Sequence, residues 1–328
     1  MKRLIRIREV AKMAGVSPAT VSRVMNGTAN VNPEKCARVL KVIEETGFKP
    51  NESARALYRK SARILGVIVP NMDNPFFTEM TKAIEEEAYR NDYRLTICNS
   101  SDNAEKELHN IELLKRMNAD GIILLTSEER IFQTVKEFQI PVVVMDREVT
   151  NFHDFIYIEA DHFEGGRLST ELLFQKGCRQ IVHIRAPQNL SSGRKRFEGY
   201  LSACQTHHLP PYYVDCSYDY EDGLSAAEQI LRTFPQADGI IAPNDTAALA
   251  VYKIFHKHGK RIPEDVQLIG FDNVRISQMV TPELTTIAQP IAAMGQQAVR
   301  SLLDCINGKE TKRSHTFPIT LISRETTL

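Results

Sequence analysis

The chain has 328 residues, 42% of them hydrophobic and 25% charged, the composition of a globular protein with two or three folding units. No stretch approaches the roughly eighteen apolar residues of a membrane helix, and the basic start Met1-Lys2-Arg3-Leu4-Ile5-Arg6 runs into a polar helical pattern, not a signal-peptide core, so a cytoplasmic location is expected. The balance of 41 basic and 41 acidic residues hides an asymmetry: up to Arg63 there are fourteen Lys/Arg against five Asp/Glu, which fits a basic head for nucleic acid on an acidic body.

The first fifty residues read as three short helices. Ile7, Val10, Ala11 and Ala14 recur at helical spacing, and Gly15 then supplies a permissive turn. Ser17 can cap a second helix with Pro18 in its first turn, ending near Asn26-Gly27. A third helix is predicted over Pro33 to Thr46, with Gly47 as its stop and Phe48 turning back inward. Residues 51–63 are basic and helix-compatible, yet too poor in apolar surface to hold a helix alone.

From Ile64 the pattern changes to apolar runs separated by helix-length segments. Five runs (Ile64–Val69, Leu95–Cys98, Gly121–Leu125, Pro141–Met145, Ile156–Ile158) are followed by four more (Ile181–Ile184, Tyr213–Cys216, Gly239–Ala242, Val266–Gly270). Runs buried on both faces predict parallel strands with crossover helices, and their number predicts two doubly wound lobes. Leu284–Gln289 and Phe317–Ser323 are expected to cross between the lobes. Lobe 1 is then about 64–161 with 290–315, and lobe 2 about 162–289 with 316–328.

Helix, glycine turn and helix form a helix-turn-helix pattern. The run from Val10 to Gly27, VAKMAGVSPATVSRVMNG, is more specific: it resembles the DNA-binding head of the lactose-repressor/galactose-repressor (LacI/GalR) family of bacterial transcription regulators. The resemblance continues through Pro50-Asn51, Ala54-Arg55-Ala56-Leu57, Gly270-Phe271-Asp272-Asn273 and Leu284-Thr285-Thr286-Ile287, and so spans the chain. It implies a small all-α helix-turn-helix head, a hinge, and an α/β two-lobed periplasmic-binding-protein-like body. It also implies a homodimer on near-palindromic double-stranded operator DNA.

In such a head the start of the second helix enters the major groove, which points Pro18, Ala19 and Arg23 at base edges. Arg23 alone has a fork able to read guanine. Thr20, Ser22 and Asn26 are placed for phosphates, with solvated helix polarity the alternative for Thr20 and Ser22, and the capping Ser17 is counted with these DNA-binding residues. By resemblance, Ala54, Arg55 and Leu57 belong to a hinge helix that forms on DNA, with Leu57 as an apolar wedge in the minor groove. A plain linker is the alternative.

Linked α/β lobes bind ligands at the carboxyl ends of their strands. There stand Phe76 and Phe77, one expected in the cleft and one in the core, with Phe76 favoured for the cleft. Asp146, Arg147, Asp161, Arg196, Asn244 and Asp272 occupy further strand ends, with Ser192 and Tyr218 adding a hydroxyl and a stacking wall. Such groups suit a polyhydroxylated ligand, because each hydroxyl both donates and accepts. Asn244 and Asp245 have helix capping as their alternative. Phe76, Arg147 and Asp272 are similar to the ribose- and sucrose-responsive regulators of the family. The purine-repressor branch carries a cation at the place of Leu190, which argues against a purine.

No phosphate-binding glycine motif, hydrolase elbow or metal-spaced histidine pattern is present, so an enzyme and a bound cofactor or metal are not expected. The six cysteines are scattered and expected to be reduced thiols. The remaining alternatives are a catabolite-control regulator with a phosphoprotein corepressor, and a sugar-binding transport protein, which would need a secretion signal in place of the basic head.

Overall fold

The structure, a computed structural model, describes residues 5–26, 31–48, 61–125, 129–147 and 155–328. It divides into two compact units, Met1–Ala62 and Arg63–Leu328.

The head holds helices α1 (Ile7–Ala14), α2 (Pro18–Asn26) and α3 (Pro33–Thr46). Gly15 ends α1 with left-handed φ of 64°, and the Val16 N–H then donates to Ala11 O at 3.0 Å, closing the turn into α2. The Ser17 hydroxyl accepts the Thr20 N–H at 3.1 Å, a cap worth about 0.5–2 kcal/mol. Asn32 caps α3 by accepting from the Glu34 N–H. Val10, Ala11, Ala14, Val21, Val39 and Phe48 form the buried core, so the turn and both caps fix three short helices around a very small apolar centre.

The body has two six-stranded sheets. The first contains β1 (Ile64–Val69), β2 (Arg94–Asn99), β3 (Gly121–Leu124), β4 (Val142–Met145), β5 (Ile156–Ala160) and β11 (Ser314–Phe317), in the order 11-5-4-3-1-2. The second contains β6 (Ile181–Arg185), β7 (Tyr212–Asp215), β8 (Gly239–Ile241), β9 (Gln267–Asp272), β10 (Thr285–Ala288) and β12 (Thr320–Ile322), in the order 12-10-9-8-6-7. The two orders are the same pattern repeated. They differ at the last strand: β11 joins β5 in parallel, whereas β12 joins β10 antiparallel.

Each sheet is covered on both faces, which is why its strands read as continuous apolar runs. Helices α4 (Pro75–Arg90) and α11 (Ile291–Ile306) cover one face of the first sheet; α5 (Ala104–Arg116) and α6 (Glu129–Phe138) cover the other. In the second lobe α7 (His162–Gln175) and α8 (Ser191–Thr206) lie on one face, and α9 (Tyr220–Thr233) and α10 (Asp245–Lys257) on the other.

Three details differ from the sequence reading. Leu284–Gln289 is not a bare crossing, since Thr285–Ala288 is a strand paired with β9 and the chain changes lobes only beyond it. The first lobe reclaims the chain through Phe317, two residues past the expected 315, because β11 pairs with β5 as far as Phe317↔Ala160. Phe317–Ser323 is accordingly the end of one strand, a crossing at Pro318-Ile319 and the antiparallel β12. Among the described residues no helix is long and apolar enough to cross a membrane, and all six cysteines are unpaired.

Candidate functional site

In the head, burying Val21 leaves the opposite side of α2 outward. Ser17, Pro18, Ala19 and Arg23 are exposed, and Thr20 and Ser22 are half-buried beside them. The Thr20 hydroxyl lies 2.9 Å from the Ser17 hydroxyl, so the two hydroxyls engage each other in the cap. Asn26 ends the helix. The hinge candidates Ala54, Arg55 and Leu57 lie outside the described residues.

In the body, the shared strand order places the switch point between β1 and β3 in one lobe and between β6 and β8 in the other. Open α/β sheets bind ligands outside the carboxyl ends of strands at that point. A cavity of about 260 Å³ lies there, between the lobes. The first lobe contributes Asn71, Asn74 and Phe77 after β1, Asp102 and Glu107 after β2, and Arg147 after β4. The second contributes Pro187, Asn189 and Leu190 after β6, and Ser217, Tyr218 and Asp219 after β7. The Asn71 amide donates to Asp219 Oδ1 at 3.2 Å, tying one lobe to the other.

Behind the cavity a buried polar chain runs from lobe to lobe. Asp146 closes β4 with φ of 66°, a left-handed geometry uncommon for a residue with a side chain. Its Oδ1 lies 3.3 Å from His162 Nε2, close enough to attract but not aligned as a hydrogen bond. His162 Nδ1 accepts from Arg196 Nε at 3.3 Å. Arg196 also donates to Pro243 O, stands 3.6 Å from Asp272 Oδ1, and lies 3.6 Å above the Phe271 ring. The Gln289 amide donates to Asp272 Oδ1 at 2.8 Å. This chain depends on α7 and α8 touching backbone to backbone. A Cβ on Gly166 would fall 1.9 Å from Arg196 O, and one on Gly199 would fall 2.0 Å from Phe163 O.

Burial pushes the Asp146 carboxyl up, but His162 beside it and the charges of Arg196 and Arg147 outweigh that and hold it below its ordinary value. Burial, reinforced by Arg196, lowers His162 and keeps the ring neutral; with Nδ1 accepting, its proton sits on Nε2 toward Asp146. Burial raises Asp272 to about 7, even against the attraction of Arg196. Burial, with repulsion from Asp272, raises Asp245 well above its ordinary value.

Four buried polar atoms of this region have no hydrogen-bond partner among the described residues: Asp146 Oδ1, Arg147 Nε, His162 Nε2 and Gln289 Oε1. An unsatisfied buried polar atom costs about 1–3 kcal/mol, so four in one region mark a place where a polar ligand would be stabilised. Among the described residues no group of three or more His, Cys, Asp or Glu is placed to hold a metal ion.

Of the predicted cleft residues, Arg147 and Tyr218 line the cavity. Asp146, Arg196 and Asp272 stand behind it in the buried chain, and Ser192 is tied to the Tyr218 hydroxyl at 3.2 Å. Two expectations are corrected. Phe77, not Phe76, lines the cavity; Phe76 is packed in the lobe core, and the two rings meet edge to face at 5.2 Å. Asp161 does not reach the cavity, because its carboxylate caps α7 by accepting the Glu164 N–H at 3.0 Å. Asn244 behaves as the capping alternative: Oδ1 takes the Ala247 N–H, while Nδ2 donates to Tyr218 O and so braces the cavity wall. The sequence reading missed Asp102, Glu107, Asp219, His162 and Gln289. The first three follow β2 and β7, so the strand-end rule finds them when applied to the edge strands as well.

Comparison with known proteins agrees with this architecture. Residues 6–51 match the model of bacterial regulatory proteins of the lacI family, and residues 170–327 that of the periplasmic binding protein-like domain. The chain is 36% identical over 326 residues to a ribose operon repressor of Halalkalibacterium halodurans, covering 98% of this chain and 96% of that one. It is 34% identical over 314 residues to the HTH-type transcriptional repressor PurR of Pasteurella multocida, covering 94% of each. The solved structure of a periplasmic binding protein/LacI transcriptional regulator from Alkaliphilus metalliredigens, complexed with D-xylulofuranose, matches with a TM-score of 0.75 and 34% identity over 81% of this chain and 99% of that one. With the head matched, the two-lobed body matched, and repressors similar along nearly its whole length, the chain belongs to the LacI family of DNA-binding bacterial repressors.

Proposed function

We propose that this repressor controls a sugar-utilisation operon and leaves its operator when a monosaccharide of pentose size binds between its lobes. The observation that carries the reading is the small interlobe cavity with Arg147 and the orphaned polar atoms of Asp146, His162 and Gln289 around it. Pockets for drug-sized ligands run about 300–1,000 Å³; at about 260 Å³ this one suits a single sugar ring better than a disaccharide such as sucrose. Phe77 and Tyr218 offer aromatic faces for the C–H side of that ring. A ribose operon repressor and a D-xylulofuranose complex among the relatives support a pentose.

In this reading a homodimer works in the cytoplasm, without catalysis of its own, and sets two heads on a near-palindromic operator. Pro18, Ala19 and Arg23 face the bases. The sugar bridges the lobes and favours one lobe arrangement, and the heads keep their grip only in the other. The shift can be no larger than the difference in sugar affinity between the two states.

A thermal-shift panel of pentoses, hexoses, disaccharides and nucleobases tests the ligand class. A ligand at 100 times its dissociation constant stabilises the protein by about 2.7 kcal/mol, which is readily seen as a higher Tm. A pentose is expected to give the largest shift. A nucleobase in that place would overturn the sugar reading, and silence across the panel would move control to a protein partner such as a phosphoprotein corepressor.

A further inference from the structure

The charges around the cavity carry the sugar reading further, and the inference below rests on that reading. Among the described residues the cavity is lined by the carboxylates of Asp102 and Asp219, by Glu107, which accepts from the Ser100 hydroxyl, and by one cation, Arg147. That cation is already paired, since Arg147 Nη1 stands 3.2 Å from Asp102 Oδ1.

The usual backbone receptor for a phosphate is a helix N-terminus with free N–H groups. Around this cleft those ends are largely occupied by the protein's own side chains. Asn74 accepts from the Phe76 N–H of α4, Asn103 from the Lys106 N–H of α5, Asp161 from the Glu164 N–H of α7, and Asn244 from the Ala247 N–H of α10. The residue before α9 is Asp219, itself acidic. Among the described helix starts, α8 begins at the cavity with an apolar residue, Leu190, and no side-chain cap. A helix end is equivalent to roughly half a positive charge, which, with Arg147 already paired to Asp102, does not offset the charge of Asp219.

We infer that the cleft admits an uncharged sugar and rejects its phosphate ester, so the repressor reads the sugar before any phosphoryl transfer to it. The sugar supplies hydroxyls for both the acceptors and the donors. A phosphate adds about two negative charges at neutral pH and no donor.

Isothermal titration of the full-length protein with D-ribose, D-ribose 5-phosphate, D-xylulose and D-xylulose 5-phosphate tests this. One like charge about 6 Å away, at an effective dielectric constant of about 20, weakens binding on the order of a hundredfold. The free sugar that binds is therefore expected to exceed its 5-phosphate by at least that factor. The double variant Asp102→Asn, Asp219→Asn is expected to narrow the gap by about tenfold or more, since each removed charge still counts about tenfold at 12 Å. Asparagine is as good a helix cap as aspartate, so α9 keeps its start. A phosphate ester that binds as tightly as its parent sugar overturns the inference and leaves the sugar reading standing. A gap unchanged in the double variant overturns it too, by making the exclusion steric. If neither the free sugars nor their esters bind, the sugar reading itself falls, and this inference falls with it.

Discussion

The two lobes repeat one strand order, and each brings an arginine to the cleft, yet the two arginines are held in opposite ways. Arg196, in the second lobe, is tied on every side: Nε to His162, one terminal nitrogen to Pro243 O, the other near Asp272, and its face on Phe271. Arg147, in the first lobe, lines the cavity and, among the described residues, leaves its Nε without a partner and forms its one ion pair with Asp102, whose side chain is 61% exposed. Repeating a fold therefore does not repeat a role. The second lobe uses its arginine as a strut between β9, α7 and α8, and the first presents its arginine to the ligand.

The largest effect that sharpens this contrast is on stability. Arg196→Ala leaves His162 Nδ1 and the Pro243 carbonyl without their donor in a buried site, and each such loss costs about 1–3 kcal/mol. Arg147→Ala breaks a bridge to an exposed carboxylate, worth about 0–1 kcal/mol, while its lost charged hydrogen bonds weaken sugar binding by about 1.5–3 kcal/mol. Chemical denaturation and calorimetry of the two variants separate these cases. Equal destabilisation by both would end the distinction between strut and ligand donor.

A smaller effect concerns pH. Asp272, raised to about 7 by burial, holds a proton in the folded state that the unfolded chain has lost. Folded protein thus binds more protons between about pH 4 and 7, and this group's contribution to stability falls as pH rises through that window. Asp272→Asn, which keeps an acceptor for the Gln289 amide, is expected to lose this dependence. Its Tm relative to the wild type should rise by a few degrees from pH 5 to pH 8, about 2–4 °C per kcal/mol for a unit of this size. A constant difference would remove Asp272 as a group that folding keeps protonated.

The parts of this molecule legible in the sequence are those that local chemistry dictates. Ser17, Gly15, Asn32 and Pro33 announce the head because caps and turns need those side chains or that backbone freedom. Both-face burial made the inner strands visible as apolar runs, but β11 and β12 have only exposed and half-buried residues and carry no such signal. In the cleft, strand-end reasoning found Arg147, Tyr218 and the buried chain of Asp146, Arg196 and Asp272. It favoured Phe76 where Phe77 lines the cavity, because two adjacent residues lie about 100° apart on a helix and only the rotation of α4 against its sheet decides which one faces the ligand. It weighed capping for Asn244 but did not see that Asp161 is engaged as a cap, since a residue after a strand and a residue before a helix are here the same position.

The most direct test of the account is operator release. Fluorescence anisotropy would follow the full-length protein on a labelled near-palindromic duplex, selected by the protein itself from a random library, with and without the pentose that raises its Tm. The account predicts that the pentose weakens DNA binding at least about tenfold, a coupling of about 1.4 kcal/mol. It also predicts that Arg147→Ala binds the same duplex as well as the wild type but no longer responds to the sugar. DNA affinity indifferent to the sugar, or an Arg147→Ala variant that responds as the wild type does, would contradict it.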